Sequence, residues 1–121
     1  MYSPQLLDHF EHPRNTGELA GAVAQARVEN PACGDILELS IKVREGRIVA
    51  ARFKAKGCVP AMACGSLITE MVNGMEIGAA RTIDSEAVAM QMGGLPPASR
   101  HAAQLAIDAL RAVLERTPAN V

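Results

Sequence analysis

Two short segments hold the residues best suited to chemistry: Asn30-Pro31-Ala32-Cys33-Gly34-Asp35 and Lys56-Gly57-Cys58-Val59-Pro60. The first joins two predicted strands. Pro31 and Gly34 shape its turn, which leaves Cys33 and Asp35 to project from the end of a sheet rather than into its core. The second closes the return strand of a predicted hairpin and opens a helix. An antiparallel hairpin begins its first strand where its second ends, so Cys33, Asp35 and Cys58 meet at one end of the sheet although separated in sequence. A thiolate pair with a carboxylate suits zinc or iron, because thiolates select thiophilic metals and a carboxylate supplies a harder, more exchangeable bond. His101, in the first turn of the last predicted helix beside Leu95-Pro96-Pro97, is the candidate for a fourth ligand. Lys54 and Lys56, with a helix N-terminus after Cys58, are expected to depress the thiol pKa, making Cys58 a candidate sulfur acceptor as well as a ligand.

Each of these residues has a plainer reading. Asp35 could cap its own turn, His101 the last helix, and Cys58 could be a buried thiol at a strand end. Cys64 shares a helix face with Ala61 and Ile68, which favours a packing thiol, with an auxiliary ligand role as the alternative. His9 and His12 lie at a helix end, where solvated or turn-stabilising roles are expected. Lys54 and Lys56 read as the solvent face of a strand.

The elements that must position these residues are legible in the pattern. Leu6, Leu7 and Phe10 mark a short amphipathic helix with Ser3-Pro4 at its start, ended by Pro13 and Gly17. A first strand is expected over residues 22–29. Leu37, Leu39, Ile41 and Val43 alternate with Glu38, Ser40 and Lys42, Glu45-Gly46 fits a turn, and the return strand places Val49, Ala51, Phe53 and Ala55 on one face. Helices follow over residues 61–72, stopped by Asn73-Gly74, and over residues 84–91, capped by Asp84 and closed by Gly93-Gly94. The longest periodic segment carries the stripe Ala102, Leu105, Ala106, Ala109 and Val113. Strands come early and helices late. The expected class is α+β: a small three-stranded antiparallel sheet, helices on one face and a long C-terminal helix.

The 121 residues suffice for one domain, read as 1–121, with a real core. That core must be built from Ala, Val, Ile, Leu and Met, since only two Phe, one Tyr and no Trp occur among 49% hydrophobic residues. A net charge of -1 leaves no excess of cations for phosphates or anionic lipids, so neither nucleic acid nor membrane is an expected partner. There is no run of about 18 apolar residues and no export signal, which points to the cytoplasm. Three cysteines, an odd number, in a reducing compartment do not make a disulfide framework.

Taken in order, Asn30 to Asp35, Phe53-Lys54-Ala55-Lys56-Gly57-Cys58, Ser66-Leu67-Ile68-Thr69-Glu70, Leu95-Pro96-Pro97 and His101 resemble the IscU/NifU-like iron-sulfur cluster assembly scaffolds. The opening, Asp8 to Gly17, resembles that of the same family, and the resemblance covers nearly the whole chain. It implies a compact α+β scaffold or carrier, not an enzyme. In the family, cysteines, an aspartate and a histidine bind a transient [2Fe-2S] cluster or, without iron, zinc. Carried over by motif, Cys33, Asp35, Cys58 and His101 become the ligand set. The implied partners are a cysteine desulfurase and apo iron-sulfur recipient proteins.

The sequence departs from the family where its third cysteine, the usual receiver of persulfide sulfur, follows the histidine: here Ala102 stands there. The chaperone-docking segment is reduced to Leu95-Pro96-Pro97-Ala98-Ser99, which puts Hsp70-type docking in doubt. Both departures keep open the alternative of a zinc- or iron-binding sulfur-relay protein, or a regulatory relative that assembles no cluster.

Overall fold

The alternating run at residues 37–43 becomes the middle strand of a three-stranded antiparallel sheet. In the computed structural model, which describes residues 2–121, β1 (Ala24–Glu29), β2 (Ile36–Arg44) and β3 (Arg47–Lys56) lie in the order β1-β2-β3. Around them are α1 (Pro4–Glu11), α2 (Val59–Val72), α3 (Ile77–Ala80), α4 (Ser85–Gln91) and α5 (Arg100–Glu115), the last entered through a 3-10 turn at Pro97–Ser99. The architecture is the expected α+β one. The four-residue α3 was not foreseen in the sequence, being too short to show a helical period.

The inner face of the sheet carries Ala26, Leu37, Leu39, Ile41, Ala51 and Phe53, all buried, and is covered by α2 against β3 and by α5 against β1 and β2. Helix α2 lies deepest. It packs against the sheet, α1 and α5, so it is buried nearly all round, from Pro60 to Thr69 on successive faces. Gly65 is what permits this approach. A Cβ there would stand 2.7 Å from Phe53 Cδ2 and 2.9 Å from Leu37 Cδ1. Helix α5 presents the expected stripe of Ala102, Leu105, Ala106, Ala109 and Val113 to the core.

One strand assignment is corrected. Val49 was expected to share the buried face with Ala51 and Phe53, but it is 42% exposed, and Ile48 is buried instead. The register slips between Lys42 and Val43: Lys42 faces Ala50 whereas Val43 faces Ile48, so β3 carries one extra residue. Such a bulge reverses the side-chain parity beyond it, which strict alternation does not anticipate. The segment after α1 pairs with the outer edge of β3 at Phe53. Gly17 N–H donates to Phe53 O and Phe53 N–H to Asn15 O, each at 2.9 Å. That pairing covers the edge at Phe53.

The helix starts follow their local chemistry. Ser3 caps α1, its hydroxyl accepting from Leu6 N–H, and Asp84 caps α4, accepting from Ala87 N–H. No helix among the described residues is long and apolar enough to cross a membrane.

The close contact at Gly65 predicts that Gly65→Val destabilises the fold. The added methyl groups must displace Phe53 or Leu37, and overpacking of this kind costs about 1–3 kcal/mol. Urea unfolding followed by circular dichroism should show the midpoint fall; an unchanged midpoint would mean that the sheet and α2 are not in the contact described.

Candidate metal centre

Three backbone devices build the site. The loop from Asn30 to Asp35 is closed on itself: Asn30 N–H donates to Asp35 O at 2.8 Å, Gly34 N–H to Asn30 O at 2.7 Å and Ala32 N–H to Asn30 Oδ1 at 2.9 Å. Gly34 turns the chain with a φ of 77°, a left-handed conformation costly for other residues. Asp35 then leads into β2, whose first residue, Ile36, faces Lys56 at the end of β3. Across this last pair Cys58 begins α2 as its N-terminal flanking residue, and His101 comes in on the first turn of α5.

The four residues predicted to act together are brought to one place. Cys58 Sγ lies 3.0 Å from Asp35 Oδ2, Cys58 N–H donates to Asp35 Oδ1 at 3.2 Å, and His101 Nε2 lies 3.7 Å from both Asp35 Oδ2 and Cys58 Sγ. Donor atoms of Cys33, Asp35 and His101 lie within 4.8 Å of one another. Asp35 and His101 are thus shared between Cys33 on one side and Cys58 on the other, and a donor set of sulfur, carboxylate and imidazole fits zinc or iron. Exposure is graded across it: Asp35 is buried, Cys58 half-buried and Cys33 exposed.

Gly57 makes the arrangement sterically feasible, and the sequence reading had not singled it out. Its φ is 150°, and a Cβ built on it would fall 2.2 Å from Asp35 Oδ1. The carboxylate occupies the space a side chain would fill. A glycine directly before a cysteine at a strand end was the available signal.

The electrostatics overturn one expectation. The Cys58 thiol is not depressed but raised, from 9.0 to about 11, by burial first and then by its hydrogen bond to the Asp35 carboxylate. The two lysines cannot offset this: Lys54 pairs with Glu18 at 3.1 Å and with Glu38 at 3.6 Å, and both lysines are exposed. Asp35 is shifted the other way, below the usual carboxylate value, chiefly by the Cys58 thiol and, in smaller measure, by Cys33, the Cys58 N–H and the charge of His101. Without a metal, the site therefore holds an ionised carboxylate stabilised by thiol donors. A metal would displace the thiol proton and take its place.

The other singled-out residues lie elsewhere. Cys64 is fully buried in the core, and burial pushes its thiol up to about 12, in keeping with a packing role. Ala102 is likewise fully buried. His12 is exposed, whereas His9 is buried, so of the solvated and turn-stabilising roles expected the first does not apply to it. Its Nδ1 lies 2.8 Å from Ser66 Oγ, which also accepts from Arg14 N–H at 2.9 Å, and its Nε2 lies 3.6 Å from Glu70 Oε1. Burial, with the Arg14 charge, lowers its pKa. His9 thus ties α1 to α2, a contact between elements far apart in sequence that a local pattern does not reveal.

Fold and site together define a small α+β domain that offers sulfur, oxygen and nitrogen donors at one end of an antiparallel sheet. The chain belongs to the NifU-like N-terminal domain family, whose pattern matches residues 1–120. It is 44% identical over 111 residues to the iron-sulfur cluster assembly scaffold protein IscU 1 of Archaeoglobus fulgidus, covering 92% of this chain and 72% of that one. It is 42% identical over 117 residues to the scaffold protein IscU of Escherichia coli K12, covering 93% and 91%. Among solved structures, FiSufU of Fervidobacterium islandicum AW-1 superposes with a TM-score of 0.75 at 18% identity over 93% of this chain and 96% of that one. The N-terminal NifU-like protein of Brucella abortus gives 0.60 at 22% identity over 94% and 82%. At such identities these two likenesses speak to the fold alone.

The raised thiol pKa predicts a measurable reactivity profile. In the metal-free chain, alkylation of Cys58 by iodoacetamide should rise with pH toward a midpoint of about 11. Asp35→Asn, which removes the neighbouring negative charge, should move that midpoint down. A wild-type midpoint at or below the ordinary thiol value would contradict the burial and hydrogen bonding described.

Proposed function

We propose that this protein is a scaffold for iron-sulfur cluster assembly, binding iron and sulfide transiently and passing a [2Fe-2S] cluster to recipient proteins. The observation that carries this reading is the convergence of Cys33, Asp35, Cys58 and His101 at the sheet end. The high identity to scaffold proteins named IscU supports it. On this reading the four side chains are the ligands, the chain acts as a single domain over residues 1–121, and it turns over no substrate of its own. Sulfur comes from a cysteine desulfurase and the finished cluster leaves to apo iron-sulfur proteins, in a cytoplasmic setting that keeps thiols reduced. Zinc suits the same donor set when iron is absent.

The roles divide by chemistry. The cysteine sulfurs anchor thiophilic iron, whereas Asp35 supplies a harder bond that exchanges more readily and eases release. Gly57 and the Cys58 N–H orient the Asp35 carboxylate toward the centre. The His101 side chain is 36% exposed, and Cys33 is exposed with it, so cargo can come and go on their side without opening the core.

The test is anaerobic incubation of the full chain with ferrous iron and inorganic sulfide. It should develop the visible absorption of a [2Fe-2S] cluster and transfer that cluster to an apo-ferredoxin. His101→Ala should weaken metal binding by at least the roughly 10–100-fold that loss of a ligand-supporting residue brings. Tight zinc binding with no cluster absorption would sink the scaffold reading and favour a relay or regulatory relative.

A further inference from the structure

The four donors are not held alike. Asp35 is 5% exposed at the entry to β2, Cys58 opens α2 and His101 sits on the first turn of the 16-residue α5, so packing and helix geometry fix all three. Cys33 has neither support. It lies between β1 and β2 with Pro31, Ala32 and Gly34, all exposed, yet donor atoms of Cys33, Asp35 and His101 fall within 4.8 Å of one another. A cavity of about 250 Å³, bordered by Asn30, Pro31 and His101, separates the start of the loop from α5, so helix packing does not hold it down.

What remains is the loop's own hydrogen bonding, and Asn30 carries it with three groups. Its N–H donates to Asp35 O at 2.8 Å, its carbonyl accepts from Gly34 N–H at 2.7 Å and its Oδ1 accepts from Ala32 N–H at 2.9 Å. The first two are backbone bonds open to other residues. The third needs a short side chain with an acceptor oxygen, and it fixes the Pro31-Ala32 peptide one residue ahead of Cys33. Without it, rotation at that peptide swings Cys33 away from Asp35 and His101. The pull of the Cys33 thiol on the Asp35 carboxylate does not survive loading, because a metal takes the thiolate.

We propose that Asn30 is a positioning residue of the metal centre, its side-chain oxygen holding the loop so that Cys33 shares one ion with Asp35 and His101. The proposal rests on the metal-binding part of the scaffold reading and deepens it. A loop ordered before the metal arrives has already lost its conformational freedom, whereas a loop left to wander loses it on binding, at the expense of affinity. Asn30 acts only through Cys33, since its own oxygen is turned to Ala32 N–H.

The test adds cobalt(II) alone to the full metal-free chain under anaerobic, reducing conditions and follows the near-ultraviolet thiolate-to-cobalt absorption, whose intensity counts coordinated sulfurs. Asn30→Ala should weaken cobalt binding about tenfold and lower that intensity toward the level of Cys33→Ser, with the urea midpoint little changed because the loop is exposed. Asn30→Asp keeps an acceptor oxygen in the same place and should keep wild-type intensity. Should Asn30→Ala fold poorly, Asn30→Gln moves the acceptor one carbon out and takes its place, with the same loss expected. In a Cys33→Ser background either substitution should change affinity by less than about twofold, as a residue acting only through Cys33 requires. Wild-type intensity in Asn30→Ala and Asn30→Gln, or an equal loss of affinity that persists without Cys33, overturns the proposal. A wild-type chain without any thiolate-to-cobalt absorption defeats the metal-centre reading itself, and the proposal with it.

Discussion

At the end of the sheet a carboxylate has been taken out of water and must be satisfied by groups from distant parts of the chain. Burial of an ionised Asp35 is costly unless hydrogen-bond donors and positive charge replace the lost solvent. Here they are the Cys58 thiol and N–H at the start of α2 and the His101 ring at the start of α5. All of them fit only because Gly57 has no side chain where the carboxylate lies. The Asn30 to Asp35 loop, the end of β3 and two helix N-termini are thereby fixed to one another. Cys33 rides on the same loop, whose own hydrogen bonds bring it to the centre.

The rest of the fold holds those elements still. Helix α2 can lie between the sheet, α1 and α5 because small residues, above all Gly65 against Phe53 and Leu37, let it come close. The segment after α1 then pairs with the edge of β3 at Phe53, while His9 on α1 and the Arg14 N–H beyond it meet the Ser66 hydroxyl of α2. A helix whose N-terminus bears a site residue is therefore held from both sides. Its movement would break packing and hydrogen bonds together, which interiors at crystal-like density resist.

The graded exposure of the donors matters as much as their proximity. A fully buried set of thiolates would retain a metal firmly, whereas here Cys33 is exposed, the His101 side chain is 36% exposed and Asp35 offers an oxygen in place of a sulfur. The position after His101, filled by Ala102, packs into the core and adds no donor. Of the two sulfurs at the sheet end, that of Cys33 is exposed and that of Cys58 half-buried.

Local patterns were enough for much of this protein. Period-two alternation marks β2, turn residues mark its hairpin, and caps and stops mark α1, α4 and the stripe of α5, because each depends on neighbours a few residues apart. Antiparallel geometry alone carries Cys33, Asp35 and Cys58 to one sheet end, and motif order points to His101. What the sequence could not decide depended on contacts across long separations. The bulge that turns Val49 outward arises from pairing between strands, the His9 and Ser66 contact joins helices 57 positions apart in sequence, and the clearance at Gly57 exists only where Asp35 lies against it. The Cys58 pKa was misjudged for the same reason. Nearby lysines are visible in the sequence, but burial and a carboxylate 23 positions away in sequence set the outcome, and both are properties of the packed chain.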